Sequence, residues 1–267
     1  MIENPVLRKE LLMRLKIRQM PMATVIGIAS ITLLLLGIIY YYVIVKWIFS
    51  DTSQSSGYDA WMLVVGIQAG IIFLIGPSIA ANSITQEKEQ QTWEMLIFTR
   101  LRPSEIIFGK LISRLSTFAI MLALFFPIEF FSWIKAPGHI SGTMFFLTYL
   151  TMVVCAVFYA SFGLFMSWML KRTIYAIMCS YTFVVGGLII TTSLVSVLLS
   201  MIVTELPVEK SPFIWINPIV MMYRAINPRE TANSIQLLMF GLVIYVVLTA
   251  IVLWRMIDGF RRFAYDR

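Results

Sequence analysis

The chain has 267 residues, of which 59% are hydrophobic and only 13% charged, and its mean hydropathy is +0.84. A soluble protein of this length could not keep so much apolar surface from water, so the composition indicates an integral membrane protein. Only two cysteines occur, Cys155 and Cys179, both in apolar runs, which argues against a disulfide framework and against a paired-cysteine metal site.

Residues 1–20 are predicted to form an amphipathic helix that lies along the membrane surface. Leucines recur at helical spacing on one face and basic residues occupy the other. The leucines are Leu7, Leu11, Leu12 and Leu15, and the basic residues are Arg8, Lys9, Arg14, Lys16 and Arg18. Pro21 then allows a turn into the bilayer. A disordered basic tail is the alternative interpretation.

Six apolar stretches reach the roughly 20 residues that a helix needs to cross a bilayer. They are Met22–Val45, Trp61–Ser83, Ile106–Trp133, Met144–Leu170, Ile174–Val203 and Ile235–Ile257. The first is too long for a signal-peptide core, so it is interpreted as a retained span. The predicted fold is therefore all-α: one polytopic membrane domain, residues 1–267, with six transmembrane helices.

The positions of the basic residues predict that both termini are cytosolic. With the N-terminus inside, most of the 21 lysines and arginines fall on the cytosolic side. The outer side receives Lys46, Lys135, Lys210, Arg224 and Arg229. The net charge of +7 then faces the anionic inner leaflet of the lipid bilayer, and no nucleic-acid partner is needed to explain it.

The predicted outer segment, residues 204–234, mixes apolar residues with four prolines, Pro207, Pro212, Pro218 and Pro228. This pattern favours short re-entrant helices that dip into the outer leaflet, where irregular backbone must be buried in protein or line a wet cavity. An ordinary outer loop with interfacial aromatic residues is the alternative.

No catalytic motif is present in the sequence, so we expect neither an enzyme nor a cofactor or metal site. The one histidine, His139, lies in a predicted outer loop. Gly109 and Lys110 lack the upstream glycine and the following Ser or Thr of a phosphate-binding loop. If this protein uses ATP, another chain must hydrolyse it.

The predicted cytosolic stretch between the second and third spans, residues 84–104, is dense in charge. Trp93, Leu96, Ile97 and Leu101 share one helical face, which suits the membrane interface or the groove of a partner. Pro103 is predicted to end this helix and Ser104 to cap the next one, with Glu105 in its first turn. A solvated loop between spans is the alternative.

This stretch resembles the cytosolic loop of type-2 ATP-binding-cassette (ABC) transporter permeases. The resemblance covers Ile-Thr-Gln-Glu-Lys-Glu-Gln-Gln-Thr-Trp-Glu at residues 84–94 and Leu-Arg-Pro-Ser-Glu-Ile-Ile-Phe-Gly-Lys at 101–110. Asn-Pro at 4–5 with Arg-Lys-Glu-Leu at 8–11 is similar to the interfacial elbow helix of that family. Ile-Asn-Pro at 216–218 with Arg-Ala at 224–225 is similar to the segment before the family's last span.

The resemblance implies a half-transporter in the plasma (inner) membrane of a prokaryote, an exporter by our interpretation. A second copy of the chain or a related permease would complete the path, two cytosolic ABC ATPase subunits would dock on the loop, and accessory proteins could join them. The expected ATPase contact consists of Glu87, Lys88, Glu89, Thr92, Trp93 and Glu94. On this hypothesis Glu87→Lys or Glu89→Lys uncouples ATP hydrolysis from transport.

Three polar residues in the spans are candidates for a substrate path: Glu129, Thr191 and Thr192. Glu129 near the outer end of its span could instead reach lipid headgroups. The two threonines follow Gly186 and Gly187 and suit close helix packing, which we favour over substrate contact. Two other functions remain open: a membrane anchor of an ATPase complex that moves no substrate, and a polytopic channel or membrane enzyme.

Overall fold

The computed structural model describes residues 40–41, 54–93, 102–136, 138–189, 217–226 and 234–265. Of these residues 90% are helical and none lies in a β-strand, so the all-α prediction is confirmed for this part of the chain. The helices are α1 (Gln54–Ala81), α2 (Thr85–Glu89), α3 (Pro103–Lys135), α4 (Gly142–Met169), α5 (Thr173–Ile189), α6 (Pro218–Ile226) and α7 (Ser234–Tyr265).

Within the described ranges, four helical segments are long and apolar enough to cross a membrane: Gly57–Glu89, Pro103–Lys135, Gly142–Met169 and Ile235–Arg262. They match the second, third, fourth and sixth predicted spans, so the prediction of a multi-pass membrane protein is supported. A shorter apolar helix, Thr173–Leu188, begins where the fifth span is predicted.

Other predictions fall on residues that the structure does not describe. Outside the described ranges lie the surface helix of residues 1–20, most of the first span, the second half of the fifth span, Glu94, Thr191 and Thr192. The number of six spans and their orientation therefore stay predictions.

Within the predicted outer segment the structure describes residues 217–226, which form the short helix α6. The side-chain oxygen of Asn217 accepts the Ile219 N–H at 2.9 Å and so caps the first turn. Pro218 occupies the first helical position, where its missing N–H costs nothing. The segment thus contains a short helix, and its entry into the outer leaflet stays a prediction.

The described helices belong to two compact units. One contains the described residues up to Gln68 together with Ser116–Gly142, and the other contains Ala69–Leu115 and Thr143–Arg267. In the first unit the start of α1 packs closely on the end of α3. A Cβ placed on Gly57 would lie 3.1 Å from the Ala136 Cβ and 3.2 Å from the Ser132 carbonyl oxygen. The two segments can approach this closely because Gly57 has no side chain.

In the second unit α4 forms the centre of the core. Aromatic rings join it to its neighbours: Phe158 meets Tyr245 of α7 with ring centroids 4.8 Å apart, and Phe162 stacks on Phe183 of α5 at 3.9 Å. Gly163 lets α4 approach α1, since a Cβ on Gly163 would lie 3.1 Å from the Ala80 Cβ. This close packing fixes the end of α4 on which the candidate site is built.

Candidate functional site

The charged loop between α1 and α3 begins with a turn that is anchored on α4. The backbone N–H groups of Ile84 and Thr85 donate to the Ser167 hydroxyl oxygen at 2.8 and 2.9 Å. The first N–H groups of a helix have no partner within that helix. Ser167 therefore serves α2 as a cap that comes from a different part of the chain.

Lys88 holds the end of α4. Its ammonium group donates to the backbone carbonyls of Ser167 at 3.3 Å, of Trp168, and of Leu170 at 3.0 Å. The last carbonyls of a helix lack intrahelical partners and form the negative end of its dipole, so a cation is stabilising there. Lys88 thus caps α4 from the neighbouring loop.

Glu89 has the complementary role at the start of α5. Its carboxylate accepts the backbone N–H of Thr173 at 2.8 Å, at the first residue of that helix. A negative side chain is stabilising at a helix N-terminus. Two adjacent residues of opposite charge, Lys88 and Glu89, therefore fix the two ends of the connection between α4 and α5.

Glu87 faces α3 and forms a buried ion pair. The Lys110 ammonium lies 2.8 Å from a Glu87 carboxylate oxygen and donates to the Ser83 carbonyl at 3.1 Å. The Lys110 side chain is only 1% exposed and that of Glu87 20%. A buried ion pair is costly to break, because either charge alone would be left uncompensated, so the pair joins the loop firmly to the beginning of α3.

Trp93 connects the loop to α7. Its ring is buried and meets the edge of Phe260 with centroids 5.1 Å apart. The Lys88 ammonium lies 5.8 Å from the centre of the same ring, within the range of a cation–π contact. Four helices, α3, α4, α5 and α7, are thus joined to one short loop.

The exposed side of the loop is polar. Its exposed side chains are Gln86, Glu89, Gln90, Gln91 and Thr92. Helix α2 ends at Glu89, and Gln91 has a φ of 57°, in the left-handed region that interrupts a right-handed helix. Of the predicted apolar face, the structure describes Trp93 alone.

The start of α3 differs from the prediction. Ser104 was expected to cap this helix, but α3 begins at Pro103 and the Glu105 carboxylate accepts the Arg102 N–H at 2.9 Å. Pro103 occupies the favoured first helical position, which places Arg102 at the cap and Ser104 inside the first turn. Glu105 lies in the first turn, as predicted.

Four of the six residues expected to contact an ATPase make the contacts within the chain described above: Glu87, Lys88, Glu89 and Trp93. The side chains of Glu89 and Thr92 are exposed, and Glu94 lies outside the described residues. Glu129 belongs to the first unit, and its side chain is fully buried. Its place in a substrate path stays a prediction.

Sequence reasoning missed Ser167 and the buried state of Lys110. Lys110 had a usable signal, because a lysine four residues into a predicted span needs a buried partner, and the acidic loop immediately before it offers one. Ser167 had no such signal, since serine is common in membrane helices and this contact joins residues more than 80 positions apart.

Neither models of known protein families nor curated proteins match this chain when they are compared with it.

Proposed function

We propose that this chain is the membrane-spanning permease subunit of an ABC transporter, an exporter, driven by separate ATPase subunits that dock on the loop between α1 and α3. One observation carries the proposal: this loop is bonded to four helices at once. A partner can shift a membrane conformation only through contacts that differ between two states. A loop with these contacts is a suitable lever.

The polar contacts of the loop make it stiff enough for this role. To move α2 alone would break the Glu87–Lys110 ion pair, the caps provided by Lys88 and Glu89, and the two bonds to Ser167. Each buried polar group left without a partner costs about 1–3 kcal/mol. A push on the loop therefore moves the attached helix ends more easily than it detaches the loop.

The predicted topology is compatible with such a push. The loop contacts the connection between α4 and α5 and the final part of α7. The distribution of lysines and arginines predicts that all three segments are cytosolic. An ATPase on that side would meet the exposed glutamines of the loop, with Glu87 and Lys88 holding the loop in place behind them.

Gln90→Arg should weaken ATPase docking and leave the fold intact. The Gln90 side chain is exposed, and a larger charged group there would collide with a docked partner. We expect ATPase affinity to fall at least about tenfold, the effect of losing 1.4 kcal/mol of binding free energy. The measurement is ATPase binding to the reconstituted chain, together with hydrolysis coupled to export.

The matched control is Gln236→Arg, the same change at an exposed position near the start of α7, the opposite end of the helix from Phe260. It should bind the ATPase like the wild type. Wild-type binding and coupling in Gln90→Arg would contradict docking at this loop. If the ATPase binds the wild-type chain but no substrate stimulates ATP hydrolysis, the membrane-anchor function would be favoured instead.

A further inference from the structure

An open cleft of about 560 Å³ lies beside the loop. It is lined by Lys88, Trp93, Trp168, Met169, Lys171 and Phe260. Three aromatic rings and a methionine make most of its wall apolar, and two lysines provide positive charge. Clefts of this size, roughly 300–1,000 Å³, are typical of small-molecule sites.

The charge of the cleft is not balanced by its own walls. Lys88 directs its ammonium protons to three backbone carbonyls, so they are not available to a ligand. Lys171 is exposed and lies close enough to Lys88 to repel it electrostatically. No carboxylate is among the described residues that line the cleft, so an anion beside Lys171 would relieve this repulsion.

The cleft also lies at the end of a helix that could cross a membrane. Met169 is the last residue of α4, a helix long and apolar enough to cross a membrane. Tryptophan and lysine at the end of such a helix are typical of the membrane–water interface. Basic pockets between membrane helices bind anionic lipid headgroups, whereas a zwitterionic headgroup brings no net charge to the lysines.

We propose that this cleft binds one anionic phospholipid. The Lys171 ammonium pairs with the lipid phosphate, and the first part of an acyl chain packs on Trp168, Met169 and Phe260. A neutral peptide would satisfy the apolar wall equally well, but a negatively charged amphiphile satisfies both the wall and the charge of Lys171, which has no carboxylate partner among the described residues that line the cleft. The bound lipid contacts Lys88 and Trp93, so it would stiffen the docking loop.

Native mass spectrometry of the purified full chain tests this site with no ATPase present, so the result is independent of the proposed function. The probe is phosphatidylglycerol, with phosphatidylcholine as the zwitterionic comparison. Lys171→Gln should bind phosphatidylglycerol about fivefold more weakly, as expected for one basic residue at a membrane surface. Lys171→Arg, which keeps the charge, should bind like the wild type.

Arg172→Gln is the matched control, because Arg172 is adjacent and exposed but does not line the cleft. It should retain phosphatidylglycerol like the wild type. Three results would each overturn the proposal: equal binding by Lys171→Gln, equally tight binding of phosphatidylcholine, or displacement of the lipid by millimolar inorganic phosphate. Equally tight binding of phosphatidylcholine would identify an apolar groove that does not select for charge. Displacement by inorganic phosphate would identify a site for free phosphate.

Discussion

Replacing Gly163 with alanine should lower the free energy of unfolding by about 3 kcal/mol, the upper part of the usual range for overpacking a core. The new Cβ would overlap the Pro77 carbonyl oxygen and lie 3.2 Å from the Ala81 backbone nitrogen. These are backbone atoms of α1, which cannot rotate away as a side chain can. Helices α1 and α4 would have to separate, and the anchor of the loop on α4 would be displaced.

The measurement is unfolding of the reconstituted chain, followed by loss of helical signal or by protease accessibility. Gly186→Ala is the control, because a Cβ on that glycine of α5 meets nothing within 4 Å. It should be neutral, or stabilising by up to about 1 kcal/mol through helix propensity. If the two alanine variants unfold alike, the close contact between α1 and α4 is not present in the membrane.

Glu87→Gln should also be strongly destabilising, on the order of 3 kcal/mol, because it leaves a buried ammonium without its carboxylate. Lys110 would keep its hydrogen bond to the Ser83 carbonyl, at 3.1 Å, but that group carries no negative charge. The double variant Glu87→Gln with Lys110→Met should recover much of the loss, since it removes the uncompensated charge. A double-mutant cycle on the free energy of unfolding measures the coupling, and additive effects would contradict a buried pair.

A second ion pair in the chain provides the control for burial. Arg262 lies 2.8 Å from Asp258, the same distance as in the buried pair, but its side chain is 77% exposed. Arg262→Gln should cost at most about 1 kcal/mol, because solvent screens an exposed pair. If Arg262→Gln and Glu87→Gln lowered the free energy of unfolding by similar amounts, the Lys110 ammonium would have to be in contact with water.

The contacts of Glu87 and Glu89 within the chain make both residues unsuitable for a test of ATPase docking alone. Glu87→Lys, suggested by the sequence, would place a second ammonium against Lys110 and damage the anchor of the loop as well as any docking surface. Glu89→Lys would remove the cap of α5. A substitution at exposed Gln90 is a better test, since the Gln90 side chain takes no part in these contacts and its replacement should affect docking without affecting the fold.

The helices could be predicted from the sequence because each long apolar run has one physical solution in a bilayer. The predicted span Met144–Leu170 agrees closely with α4, Gly142–Met169. Helix α7 continues to Tyr265, past the predicted end of the span at Ile257, and Phe260 in this extension is buried. A hydropathy pattern predicts the end of a span at the point where polar residues begin, but the helix can continue beyond that point.

The candidate site could be located but not interpreted from sequence alone. Its charge density distinguished residues 84–104, yet charge does not show which side chains face outward. Lys88 and Glu89 are adjacent in the sequence and both bond to distant backbone groups, at Leu170 and Thr173. These contacts depend on how α4 and α5 end beside the loop, which is a property of the tertiary structure.

We propose that the loop receives force from a nucleotide-hydrolysing partner in the cytosol. The most direct measurement places a photo-crosslinking amino acid at Gln90 in living cells and identifies the captured protein, with position 236 as control. We expect a covalent product with an ATP-binding subunit at position 90 and none at position 236. Capture only of proteins that bind no nucleotide, or labelling of position 90 by a membrane-impermeant reagent from outside the cell, would contradict it.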